Sequence, residues 1–152
     1  MRRPVLIGLI VLGLALFLVI SALLARVLSV DGAEQAAITS LVQAEARGDA
    51  RSVIAQIKGC SGSAACTQRA RVDALKLTRP GKVILLELNQ SAGFSLTSTL
   101  GTARVAWRAG NTLPIVQCVK VRRAGNVFNG LHVELLKVSA RIHTNADCPA
   151  SY

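Results

Sequence analysis

The strongest constraint on this chain is the stretch from Pro4 to Ala25, 22 consecutive uncharged residues. Fifteen of them are Leu, Ile, Val or Phe. As a helix the run reaches roughly 33 Å, against a bilayer hydrocarbon core of about 30 Å. Such residues near the middle of a bilayer each favour insertion by about 0.3 to 0.6 kcal/mol. Gly8 and Gly13 do not interrupt it, because lipid offers the backbone no hydrogen-bond partner outside the helix. Their spacing is not that of a small-residue helix-dimer motif. The run predicts a single-pass anchor over residues 4–27, behind a cytoplasmic tail of residues 1–3. Arg2 and Arg3 set the orientation. Short basic flanks stay in the cytoplasm, whereas a long C-terminal segment translocates largely regardless of charge. The C-terminal domain is therefore expected outside the cell membrane. A cleaved signal peptide is the rival reading. Its apolar core is usually about 7 to 15 residues and ends in small residues. Cleavage after Ala22 or Ala25 would put Ile20 or Leu23 where a small residue is needed.

Cys60, Cys66, Cys118 and Cys148 all follow the run. An even count in a translocated domain points to disulfides. Four cysteines allow three pairings, and Cys60–Cys66 with Cys118–Cys148 is the preferred one. The first would clip a loop to the start of a helix, the second a C-terminal tail to a strand. In the loop-entropy model they stabilise by about 2.4 and 3.7 kcal/mol. No C-x-x-C is present, so neither a redox pair nor a metal site is expected, and no cofactor is implied.

Beyond the anchor, residues 28–32 read as a linker and residues 33–148 as one α+β domain, with a short tail at 149–152. Asp31 and Glu34 have the spacing of a helix-capping box. Ala37, Ile38, Leu41, Val42 and Glu45 then follow at helical spacing. Gly48 and Asp49 end one helix and start another, Ala50 to Lys58. A third is expected from about Ser63 to Leu77, before Arg79-Pro80-Gly81 breaks the chain. After Gly81 the apolar period becomes two. Strands are expected at Lys82–Asn89, Gly101–Arg108, Leu113–Arg123 and Leu131–Ile142, with a turn-rich stretch between the first two. Ala103, Val105 and Trp107 share one face, as do Leu113, Ile115, Gln117, Val119 and Val121. Between Leu135 and Leu136 the apolar parity flips, which marks a β-bulge. Arg108-Ala-Gly-Asn111 and Arg123-Ala-Gly-Asn126 read as turns. Short connections imply a four-stranded antiparallel meander whose apolar face the three helices must cover.

The chain resembles small envelope proteins of actinobacteria through Gly101-Thr-Ala-Arg-Val-Ala-Trp107 and Pro114-Ile-Val-Gln-Cys-Val119. Residues 33–142 resemble the nuclear-transport-factor-two-like (cystatin-like) cone fold. The helix Ile38-Thr-Ser-Leu-Val-Gln-Ala-Glu-Ala-Arg-Gly-Asp49 carries that likeness. The short hairpin often seen between the early helices of that family is absent. The resemblance implies three helices on a curved sheet and a pocket between them. It implies no particular activity, because the fold hosts enzymes, binders and scaffolds.

No catalytic signature stands out. A pocket in the cone would be lined by Gln117, Trp107 and Asp73. Against that, Gln117 reads better as a partner for bulge backbone, Trp107 as core and Asp73 as a surface residue. His132 and Glu134 share what parity makes the wet sheet face. The leading functional feature is a basic stripe on that face: Arg104, Arg108, Lys120, Arg122 and Lys137. Two of the 18 Lys and Arg precede the apolar run, leaving 16 cations against 8 carboxylates beyond it. Such a surface attracts anions. The expected function is a non-catalytic binding module, its partners the membrane through residues 4–25 and an anionic envelope polymer or another envelope protein. A small-molecule or catalytic cone pocket is the alternative. Nucleic acid is disfavoured, because only Phe94, Trp107, Phe128 and Tyr152 could stack bases beyond the anchor and no nucleic-acid motif is present.

Overall fold

The computed structural model describes residues 3–90, 98–126, 130–143 and Cys148. The turn-rich stretch at 91–97, the tail beyond Cys148, and Phe94, Phe128 and Tyr152 lie outside the described residues.

Helix α1 runs unbroken over Arg3–Ala46, 44 residues or roughly 66 Å. Its first half, Pro4–Ala25, is long and apolar enough to cross a membrane and is buried against nothing in the chain. The expected linker at 28–32 is thus helix, and the capping box at Asp31 does not form. Gly32 alone costs an exposed helix only about 1 kcal/mol. A long-range ion pair outweighs it. Arg123 reaches across from the sheet and binds Asp31 Oδ1 at 2.9 Å and Glu34 Oε2 at 2.7 Å through the same guanidinium nitrogen. Glu34 is fully buried there. Asp31 and Glu34, three apart, lie on one helix face and can share one cation.

Gly48 ends the helical run in the left-handed conformation, at φ 71°. A Cβ there would stand 2.6 Å from Thr78 Oγ1, so only glycine fits this crossing. Asp49 caps α2 (Ala50–Gln56) by accepting from Ser52 N at 3.1 Å. A short 3-10 turn, Cys60–Gly62, leads to Ser63, which caps α3 (Ala64–Leu77). The thin stripe Ala70, Ala74 and Leu77 packs inward, as its spacing requires.

Strands β1 (Val83–Asn89), β2 (Thr99–Ala109), β3 (Ile115–Asn126) and β4 (Gly130–Val138) form one antiparallel sheet in sequence order. Ala103, Val105, Trp107, Ile115, Val119 and Val121 all have no exposed surface and meet Ile38, Leu41, Val42 and Val53 from the helices. The parity flip in β4 is a bulge. Lys120 pairs with Lys137 and Val121 with Leu135, leaving Leu136 without an opposite residue. A second bulge at Leu86 in β1 has the same form. Two sequence readings fail locally. Leu113 is 77% exposed, because Pro114 delays β3 until Ile115. Arg123–Asn126 is the end of β3 and not a turn, whereas Gly110 does turn the first Arg-Ala-Gly-Asn, at φ 54°.

The cysteines pair as Cys60–Cys66 and Cys118–Cys148, with Cα separations of 5.2 and 5.7 Å. One ties the 3-10 turn to the first turn of α3. The other ties the C-terminal segment across β3.

Candidate functional site

Beneath the helices, the sheet carries one polar side chain where parity calls for an apolar one. Gln117 has no exposed surface. Its Oε1 accepts from Trp107 Nε1 at 2.8 Å. Its Nε2 donates to the Ser139 carbonyl at 3.2 Å and to Glu45 Oε1 at 3.3 Å. The amide therefore joins β2, β3, the end of β4 and α1 through three bonds. Gln117 is expected to bond the backbone of a bulge; the carbonyl it bonds is that of Ser139, past the end of β4 and outside the bulge at Leu136.

Glu45 is the residue the sequence reading passed over. It lies on the α1 stripe with Ile38, Leu41 and Val42, and all four are fully buried. A carboxylate with no cation beside it is unstable at such a site. Burial pushes its pKa up to about 8, against a smaller opposing effect of the Gln117 hydrogen bond, and the nearby Asp73 carboxyl adds to the rise. Asp73 is itself buried, contrary to its reading as a surface residue, and desolvation raises its pKa despite Arg69 and Lys76. Glu45 Oε2 and Asp73 Oδ2 each lack a hydrogen-bond partner among the described residues.

This is a sealed polar knot, not an open pocket. Trp107, Gln117 and Glu45 are all inaccessible to a solute. With its pKa near 8, Glu45 holds its proton at neutral pH. Among the described residues no three His, Cys, Asp or Glu gather as metal ligands.

The opposite sheet face carries Arg104, Arg108, Lys120, Arg122 and Lys137, brought together by register. Its charges are partly met. Arg122 Nε donates to Glu134 Oε2 at 2.7 Å, and Lys58 Nζ holds Glu134 Oε1 at 2.7 Å. These bonds, Lys58's first, keep the Glu134 carboxyl below its usual range. His132 stands 3.8 Å from the same carboxylate, at the edge of the cluster. Arg104 lies 3.5 Å from Glu87. Cys118 sits on this face opposite Arg104 and is fully buried where Cys148 crosses it. Lys120 and Lys137, both exposed, stand directly opposite each other across β3 and β4.

No family model, no curated protein and no solved structure matches this chain. The four-stranded sheet is open at both edges and not closed into a barrel.

Proposed function

We propose that this protein is a single-pass, membrane-anchored, non-catalytic interaction module whose extracytoplasmic domain docks an anionic envelope partner on the outer face of its sheet. The observation that carries the reading is the basic outer face of the sheet, on which the register sets Arg104, Lys120, Arg122 and Lys137. A face of one sign attracts anions and steers them to it. The sealed knot around Gln117 favours a binding role over catalysis in the cone.

Three features support the location. The Pro4–Ala25 helix suits a bilayer. Two disulfides suit an oxidising compartment. Arg2 and Arg3 favour a cytoplasmic N-terminus. Because α1 continues from the span into the domain, only about 9 Å of helix separates Ala25 from Asp31, where Arg123 fixes the sheet. The domain then stands close to the membrane surface on a stiff stem.

The test uses full-length protein in vesicles of zwitterionic lipid and soluble polyglycerol phosphate as the polyanion. K120E/K137E is expected to weaken binding and to flatten its salt dependence, since exposed charges are screened beyond about 10 Å at 0.1 M salt. Equal binding by both proteins at low salt would refute the reading.

A further inference from the structure

The sheet is fixed to α1 at two heights. Arg79 N donates to the Ala46 carbonyl at 2.9 Å, which sets the start of β1 beside the end of α1. Gln90 Nε2 donates to the Asp31 carbonyl at 2.6 Å, which sets the other end of β1 beside Asp31. The spans match: Asp31 to Ala46 is roughly 22 Å of helix, and Val83 to Gln90 roughly 23 Å of strand. The stem end of the sheet is therefore level with Asp31.

One part of the sheet goes further. Strand β2 begins at Thr99, opposite Arg123. Past that rung, among the described residues, β3 and β4 pair only with each other: Ala124 with His132, Gly125 with Leu131 and Asn126 with Gly130. This two-stranded arm leaves the body of the sheet where Arg123 binds Asp31 Oδ1 at 2.9 Å. Because β3 starts at Ile115, opposite Trp107 at the far end of the sheet, the arm points back along α1 toward the span. Three strand rises carry it roughly 10 Å beyond Arg123.

Only about 9 Å of helix separates Asp31 from Ala25. The polar layer on each side of a hydrocarbon core is about 5 to 7 Å deep. That layer begins a few ångströms below Asp31, so the arm is long enough to enter it even on a path oblique to α1. From Ala124 to Leu131 the sequence holds no charged residue to resist this. The depth has a limit, because an open strand edge is excluded from hydrocarbon.

We propose that the β3–β4 arm rests in the headgroup layer of the bilayer that α1 crosses, giving the domain a second, charge-independent foothold on the membrane. The proposal rests on the reading of Pro4–Ala25 as a span.

The experiment uses the full chain in phosphatidylcholine nanodiscs, with or without bromine on the upper acyl chains, and reads tryptophan emission. H132W and N126W place a tryptophan one and three rungs along the arm. L113W places one at an exposed position at the opposite end of the sheet. Parent spectra subtract the buried Trp107. Brominated lipid should quench H132W, and N126W more, with emission shifted to shorter wavelength, and should leave L113W unchanged. The result should persist at about 1 M salt, where charges are screened beyond about 3 Å, which separates this contact from docking of an anion. A polar insert of two helical turns after Arg26 should lift the domain by about 10 Å and abolish the quenching. Quenching of H132W and N126W no greater than that of L113W, or quenching that survives the insert, would overturn the proposal. Protein that stays in the disc fraction unquenched sinks the arm alone, whereas protein that leaves it sinks the span as well. Unreduced masses verify both disulfides in each variant.

Discussion

Replacing Glu45 with glutamine should stabilise this protein, and more so as pH rises. The folded state holds the Glu45 proton up to about pH 8, whereas a free carboxyl of this kind loses it near 4.5. Between those values the folded chain binds the extra proton, so stability falls as pH rises. At pH 7 the gap of two and a half units costs about 3 kcal/mol, and above pH 8 the whole penalty of about 5 kcal/mol is present. Below 4.5 both states are protonated and the cost vanishes. E45Q keeps an oxygen to accept from Gln117 Nε2 and places an amide where Oε2 has no hydrogen-bond partner among the described residues. The amide cannot ionise, so the penalty disappears. Asp73 titrates in both proteins and its contribution cancels to first order. The assay is urea unfolding of the full chain in mild detergent, followed by Trp107, the only tryptophan and fully buried. With a urea slope of about 1 to 3 kcal/mol per molar, the midpoint of E45Q at pH 7 should lie about 1 to 3 M above the parent's. The difference should shrink toward zero at pH 4.5. A constant difference across that range, or none, would refute the assignment of a buried neutral acid.

Other substitutions probe the remaining joints. Q117L should cost about 2 to 4 kcal/mol in the same unfolding assay, because it strands the Trp107 indole N–H and the Ser139 carbonyl at once. R123M removes the Arg123 ion pair from the buried Glu34 carboxylate and should lower stability, with hydrogen exchange rising first around residues 31–37 of α1. C148S should lose about 3.7 kcal/mol under oxidising conditions and nothing further once the parent is reduced at that bond. G48A should lower the melting temperature by forcing a Cβ against Thr78 Oγ1, and G48A/T78A should recover part of the loss.

Much of the fold was legible because local chemistry decided it. Gly48, Asp49 and Ser63 punctuate the helices wherever they stand, and alternation of apolar residues picks out Ala103, Val105 and Trp107. The bulge at Leu136 was legible because a parity flip has no other cheap solution in a strand. The cysteine pairing followed from where each pair falls along the chain. The failures share a cause. Asp31 and Glu34 have the spacing of a cap, but Arg123, some 90 residues away, recruits both and keeps the helix intact. No local rule contains that partner. Asp73 and Glu45 are charged residues on inward stripes, where the default for a carboxylate is solvent. In Glu45 the signal was present as a lone acid at apolar spacing. Its meaning depends on Gln117, which only the folded sheet places opposite it. The Cys118–Cys148 bond expected from the sequence crosses the sheet face that carries Arg104, Lys120 and Arg122.

The central claim is a bilayer-spanning start to α1 that carries a disulfide-bonded domain on the far side. It is tested most directly by adding protease to intact spheroplasts expressing the full chain with an N-terminal tag. The account predicts that residues beyond the stem are digested while a tagged fragment containing Pro4–Ala25 survives in the membrane pellet. Full protection of the domain in intact cells, or loss of the tagged fragment to the soluble fraction, would contradict it.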